Sequence, residues 1–498
     1  MQTTFTSPLW LADSTPRHNR LEGHVDVDVA VIGAGITGLT TAVLLGRAGR
    51  SVALLEGERV AWGTSGRTTA KVSALQGTRY QTITEHHGRE TAARYASSQT
   101  DAAAWIRNEA QRIECDWEEQ PSITYAGTPD SRTLVADERK AALDAGLDVD
   151  FVESFGDTPV EMYGALVLDR QAQFDPYTYL AALASEFSQT EGCHLFERTR
   201  VTSVSGHRRF TVRSDSGSVA ARHVVMATLL PIIDRGLFFA RAEAKASYTL
   251  VVRTTTPPPS GMFLSAASPT RSFRSVRRDD GELLLVGGNG HVVGRRQPTE
   301  PEYADLLAWT DEHFGVEEIV SRWMAHDYVP VDHLPWVGPA WPGSPDLLVA
   351  TGFEKWGMTG GTAAGLALAD RILGRNDGPS AAWSSIFDPL HSSVRSVPSL
   401  ARINVEVAAQ MASGWLSPKT AGGDDGERFR YGLAPAGSAI DDDGTEQKGS
   451  VVCTHLGGPC TWNDAERTWD CPLHGSRFEV DGAVLNGPAT TPLKRRRR

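Results

Sequence analysis

Apolar and polar residues alternate from Val25 to Val29, and the chain is then continuously apolar to Ile32. A strand that enters from solvent and ends buried on both faces reads this way. Ile36 to Arg47 reads as a helix that stops near Gly49, and Ser51 to Glu56 as a second strand. Together they predict a βαβ unit of about 30 residues. The first 20 or so residues read as an extended arm before it. Between positions 75 and 345 helical and strand patterns alternate. Thr91 to Ile113 reads as a helix. Arg198 to Val204, Arg209 to Ser214, Val219 to Met226 and Leu283 to Gly287 read as strands, and TTTPPPS at 254–260 as a loop. Asp346 to Gly374 reads as strand, turn and helix. Helical patches follow over 379–416, including Leu400 to Trp415, and then a polar Gly/Asp-rich linker. The segment 427–498 has short strands and many glycines, the pattern of a small β module. There is no internal repeat.

Composition narrows the class. At roughly 150 residues per domain, 498 residues allow two or three domains. Apolar residues are 40% and charged residues 22%, ordinary globular usage that excludes a disordered or fibrous chain. The net charge, 49 − 61 = −12, argues against a nucleic-acid-binding body. The one long apolar stretch, Val25 to Leu45, is broken by Asp26, Asp28, Gly33, Gly35 and Gly38, so no transmembrane segment is expected. No signal peptide is read at the N-terminus, and the chain is expected to be cytoplasmic. Five cysteines make no disulfide framework, but Cys453, Cys460 and Cys471 cluster near the C-terminus. Clustered thiols in a reducing compartment suggest a metal.

Gly33-Ala34-Gly35-Ile36-Thr37-Gly38 fits G-x-G-x-x-G, follows a strand, opens a helix, and has Glu56 at the end of the next strand. In that context it predicts dinucleotide binding. Gly33 permits the turn, Gly35 lets the backbone approach a pyrophosphate, and Gly38 lets helix pack on strand. The helix N-terminus offers free N–H groups to phosphate, and Glu56 accepts ribose hydroxyls. The motif alone does not separate FAD from NAD. Two further segments favour a flavin. Gly63 to Lys71 (GTSGRTTAK) offers hydroxyls and one Arg to a phosphate and a ribityl chain. Gly352 to Gly361 supplies a second helix N-terminus, whose dipole suits the N1/O2 edge of a reduced flavin.

VAVIGAGITGLTTA, GTSGRTTAKV and TGFEKWGMTGGTAAG together resemble the D-amino-acid oxidase and glycine oxidase group of flavoproteins, over roughly residues 10–375. The resemblance implies an α/β FAD-binding (Rossmann-like) domain with an interleaved α+β antiparallel-sheet substrate domain. It implies FAD held by Gly33, Gly35, Ile36, Gly38, Glu56, Ser65, Arg67, Thr68 and Thr69. Val201 takes the adenine-flanking position, and Gly352, Trp356, Gly357, Met358 and Thr359 lie by the isoalloxazine. It also implies oxidation of a C–N bond by hydride transfer to the flavin.

A second constellation reads Cys453-x-His455, fifteen residues, Cys471-x-x-His474. Two Cys and two His suit a zinc ion, and equally a Rieske [2Fe-2S] cluster, with two thiolates on one iron and two imidazoles on the other. CTHLGGP and CPLHGSRFEVDGAVLNGPA resemble the Rieske loop pair over residues 427–492 and add a small all-β Rieske domain. Many Rieske domains bridge their loops by a disulfide; here those positions hold Gly458 and Leu473, and Cys460 reads as a free thiol outside the ligand set. Phe478 stands where high-potential members carry a Tyr that donates to a cysteine sulfur, while Ser476 is kept. Fewer donors predict a potential low in the Rieske range.

The expected organisation is 1–378, oxidoreductase; 379–426, helical linker; 427–498, Rieske. The fused pair resembles bacterial FAD–Rieske oxidoreductases. A small amine or amino-acid substrate would give two electrons to FAD, and the cluster would pass them singly to an unidentified electron acceptor. Rival readings are an electron carrier without turnover and a simple oxidase using O₂. No catalytic residue is assigned, because hydride transfer needs geometry above all. Among weaker candidates, His291 reads as structural, Trp336 as packing, Asp175-Pro176 as a turn into a helix, RSFRSVRRDD around Arg274 as a solvated basic turn, and KRRRR as a solvated tail. Lys71 reads equally as a flavin neighbour or a buried ion pair.

Overall fold

A computed structural model describes residues 8–11, 17–233, 235–390, 394–416, 420–422, 426–431 and 434–494. The first sheet has eight strands. Gly23–Ile32 lies at its centre, parallel to Gly217–Met226 on one side and to Val52–Leu55 on the other. Ser344–Thr351 and Cys193–Phe196 extend it in the same sense. Val29, Ala30 and Val31 have no exposed surface, as expected of parallel strands covered by helices on both faces. One cover is the pair Ile36–Arg47 and Gly357–Leu373. They approach closely because Gly361 and Gly365 lack side chains. A Cβ at either would come within 2.7 Å of Thr37 Oγ1 or of the Thr40 side chain.

The second sheet has nine strands and is largely antiparallel. Its edge strand, Val316–Pro330, pairs along its length with Ala242–Thr254, which pairs with Gly281–Val292. Next comes Arg271–Arg278. This last strand corrects the reading of RSFRSVRRDD as a solvated turn. Arg274 is 2% exposed and its Nε donates to Thr69 O at 2.6 Å. Cross-strand pairing and a carbonyl partner overrode the charge of the segment. The N-terminal arm is also anchored. Trp10 and Leu11 are buried, and Trp10 Nε1 donates to Thr68 O at 2.8 Å. Asp175 caps the helix Pro176–Gln189 by accepting from Tyr177 N and Thr178 N.

A helix, Val397–Leu416, leads to two four-stranded antiparallel sheets. The first begins at Thr420, ahead of position 427. The second comprises Thr461–Asn463, Thr468–Asp470, Arg477–Phe478 and Val484–Asn486. It has its own small core of Trp462, Trp469, Phe478 and Val484. This module is bonded to the oxidoreductase body. Gln297 Nε2 donates to Trp462 O at 2.6 Å, Thr299 N to Asp464 Oδ1 at 2.7 Å, and Tyr303 OH to Glu466 Oε1 at 2.7 Å. The terminal arginines 495–498 lie outside the described residues. Among those residues no helix is long and apolar enough to cross a membrane.

Candidate functional site

Between the two sheets runs a cavity of about 420 Å³. The G-x-G-x-x-G turn forms one end. Gly33 has φ +103°, and its Cα faces the Ala227 carbonyl so closely that no side chain fits. Gly38 sits behind the turn, with no room for a Cβ against the Gly33 carbonyl. Its role is the packing one. The Glu56 carboxylate accepts from Ala34 N at 2.8 Å and Glu58 N at 2.9 Å, so it is held at the strand end beside the turn. Burial raises its pKa. Ser65 Oγ accepts from Ile36 N at 3.0 Å and caps the helix.

Gly33, Gly35, Ile36, Glu56, Ser65, Arg67, Thr68, Thr69, Val201, Trp356, Gly357 and Met358 all line this one cavity. Gly352 and Thr359 are set back from it. Gly352 (φ +81°) makes room for Pro330, and Thr359 accepts from Gln76 Nε2 at 3.2 Å inside the helix packing. Arg67 stacks 4.4 Å over Trp62, and burial lowers its pKa to about 10. It makes no ion pair among the described residues. A half-buried cation lining the same cavity as a helix N-terminus, whose turn admits no Cβ, is a donor set for a pyrophosphate.

The far end of the cavity was not legible beforehand. Lys355 Nζ lies over Gly290, 2.7 Å from where a Cβ would stand. Lys355 keeps substantial exposed surface; the protein atoms crowded around its ammonium, and then the neighbouring Lys245, lower its pKa to about 8. Lys245 is held by Glu243 Oε2 at 3.6 Å. Lys71 also lines the cavity, donating to Phe263 O at 3.0 Å and to Ser272 Oγ. It makes no ion pair among the described residues. Burial, then Arg274, lowers its pKa to about 7. His291 stays structural, its ring bonded to Tyr248 OH at 2.9 Å and Val292 O at 3.0 Å. Trp336 is core packing.

The four cluster candidates come together on two loops. Cys453 and Cys471 lie buried in one small core, and the rings of His455 and His474 stand 5.2 Å apart. Among the described residues no three His, Cys, Asp or Glu converge on a single ion position. Two half-sites suit two irons better than one zinc. A Cβ on Gly458 would fall 2.7 Å from Leu473 Cγ. The leucine fills the space where a bridging disulfide would run. Ser476, expected to donate to a bridging sulfide, is fully buried and its Oγ accepts from Ala489 N at 3.0 Å. Cys460 is fully buried in the same small core as Cys453 and Cys471, a placement that sequence spacing did not reveal. Phe239, from the oxidoreductase body, stands edge-on to both imidazoles, at 5.3 Å from His455 and 4.9 Å from His474.

The cavity's wall also includes Leu485, Asn486, Gly487, Ala489 and Thr490 of the C-terminal module. No local sequence signal could have predicted this, because it depends on docking.

The fold and these two sites define a flavin-dependent oxidoreductase fused to an iron–sulfur module. The chain belongs to the FAD dependent oxidoreductase family, matched over residues 28–371, and carries a Rieske [2Fe-2S] domain over 440–496. The first region binds FAD and the second a [2Fe-2S] cluster. The chain is 32% identical to the putative Rieske 2Fe-2S iron-sulfur protein YhfW of Bacillus subtilis, over 96% of this chain and 95% of that one. It is 23% identical to gamma-glutamylputrescine oxidoreductase of Escherichia coli, over 71% and 85% of the two chains. Among solved structures it is similar in fold to glycine oxidase from Geobacillus kaustophilus, at 19% identity and TM-score 0.57, over 70% of this chain and 95% of that one.

Proposed function

We propose that the protein oxidises the C–N bond of a small amine or amino acid at FAD and passes the electrons singly, through its Rieske cluster, to an external one-electron acceptor. The observation that carries this reading is the single cavity lined by the dinucleotide turn, the substrate sheet and the Rieske segment 485–490. A bound flavin supplies two-electron acceptance, and the cluster supplies one-electron exchange.

The chain's own residues account for binding and orientation. The turn at Gly33–Gly35, capped by Ser65, and the Arg67 guanidinium would hold the pyrophosphate. Glu56 would fix a ribose. The helix N-terminus at Trp356–Met358 would face the flavin's anionic edge. Lys245 and Lys355 direct positive charge into the substrate end, which favours a substrate carrying a carboxylate. Cys453, His455, Cys471 and His474 would ligate the irons. No proton acceptor is assigned, since a free amine needs only alignment for hydride transfer. In this reading 1–378 oxidise the substrate, 379–426 link, and 427–498 carry electrons out.

The test is anaerobic. Holoenzyme is mixed with a panel of amines and amino acids while flavin absorbance and the cluster's EPR signal are followed. The expected result is flavin bleaching by at least one carboxylate-bearing amine, followed by a reduced-cluster signal. Bleaching that never reaches the cluster, with rapid reoxidation by O₂, would instead mark a simple oxidase. No bleaching, with the cluster reduced by a partner reductase, would mark an electron carrier.

A further inference from the structure

The edge strand Val316–Pro330 stands between the two cofactor sites. Ala325, His326 and Asp327 all line the flavin cavity. Tyr328 points toward the Rieske module, where its OH donates to His474 O at 2.8 Å and lies 3.5 Å from Gly487 O. Its backbone serves the other side. Tyr328 O accepts from Glu354 N at 3.2 Å, and Asp327 Oδ2 accepts from Lys355 N at 2.7 Å. These two bonds hold the loop that runs directly into Trp356, Gly357 and Met358. One fully buried residue therefore joins the flavin loop, through two hydrogen bonds, to a residue predicted to ligate iron.

The surroundings make the join tight. A Cβ on Gly475 would meet Ala244 Cβ and come within 3.2 Å of Tyr328 OH. Ala244 is the strand partner of Tyr328. Glycine at 475 thus lets the cluster loop lie flat on the sheet. Phe239 closes the imidazole side.

We propose that Tyr328 is the positioning residue that couples the two redox sites: it holds the His474 loop against the flavin wall so that electrons cross one strand within a single docked chain. This rests on the reading that electrons leave the flavin through the cluster. Each crossing moves one electron. In each, one ferric iron of a bound cluster would become ferrous, and over the two crossings the hydride-reduced flavin would lose two electrons and release one proton to solvent. The external one-electron acceptor empties the cluster between the two crossings.

The experiment uses anaerobic full-length holoenzyme and photoreduced 5-deazaflavin as the one-electron donor, so no substrate is needed. Transient absorbance follows equilibration between flavin and cluster, and EPR records the cluster's line shape. Tyr328→Phe keeps the ring and removes the hydroxyl. The expected result is internal transfer slowed roughly fivefold, the population equivalent of one hydrogen bond, with FAD content and line shape unchanged. Transfer at the wild-type rate in Tyr328→Phe, beside normal transfer in the wild type, overturns the role of Tyr328 alone. Wild-type centres that exchange no electron overturn the underlying reading of the cluster as exit. Should Tyr328→Phe fail to fold, the wild-type rate in increasing sucrose decides. A docked module gives a viscosity-independent rate, and a rate that falls with viscosity shows a swinging module and sinks the proposal.

Discussion

Replacing Gly38 by Ala is the sharpest probe of the dinucleotide turn. Fingerprints of this kind accept Ala at the third glycine in many proteins, so the prediction concerns this chain. A Cβ at Gly38 would stand 3.0 Å from the Gly33 carbonyl carbon, with the oxygen nearer still, where ordinary contact begins at 3.4 Å. Turn and helix must part by more than an ångström. The helix cannot retreat, because Gly361 and Gly365 already bring the neighbouring helix against Thr37 and Thr40. Overpacking with no room to relax costs about 3 kcal/mol. At roughly 2–4 °C per kcal/mol, the melting temperature of the oxidoreductase body falls by roughly 6–12 °C. The turn's N–H groups also move off the pyrophosphate. Losing one charge-assisted hydrogen bond, about 2 kcal/mol, weakens FAD binding roughly thirtyfold. The assay is FAD retained after gel filtration, calorimetry, and EPR of the cluster as an internal control for the Rieske domain. Full FAD retention with an unchanged melting temperature would refute the packing argument.

Three further outcomes are expected. The cluster's midpoint potential should lie at roughly −150 mV to zero, because Phe478 offers no hydroxyl where a Tyr would donate; redox titration by EPR checks it, and a value far above zero contradicts it. Cys460→Ala should keep a full [2Fe-2S] complement by iron analysis, whereas Cys471→Ala should lose it; loss in both would make Cys460 a ligand. His326 is 3% exposed, its Nε2 has no partner among the described residues, and burial beside Arg477 lowers its pKa to about 3. Below an unfolded value of about 6.5 the unfolded chain binds this proton and the folded chain does not. Stability therefore falls as pH drops from 6.5 toward 3, and His326→Leu should flatten that limb in denaturant titrations; an unchanged slope would show that another group is responsible.

Sequence by itself determined the local chemistry. The βαβ unit, the glycine turn, Glu56, the hydroxyl-rich segment around Arg67 and the second glycine helix were legible. So were both cluster loops, since each is a short run whose residue types answer to one geometric demand. Gly33 must take positive φ, and parallel strands must be apolar throughout. Where several such runs had to meet, sequence was silent or misleading. Arg274 reads as solvated, yet its strand is paired on both sides and Thr69 O receives its Nε. Trp10 reads as part of a loose arm, yet it is bonded to the flavin segment. Cys460 reads as a free thiol outside the ligand set, and the fold buries it in one core with Cys453 and Cys471. The pairing of Lys245 with Lys355, the placement of Leu485–Thr490 in the flavin cavity, and the reach of Tyr328 to His474 came from tertiary structure alone. Spacing along the chain encodes what a turn or helix requires of its own residues. It carries no record of which distant side chain will fill the space that a glycine at 290, 458 or 475 leaves open; only tertiary packing decides that, within the oxidoreductase body at 290, within the C-terminal module at 458, and between the two at 475.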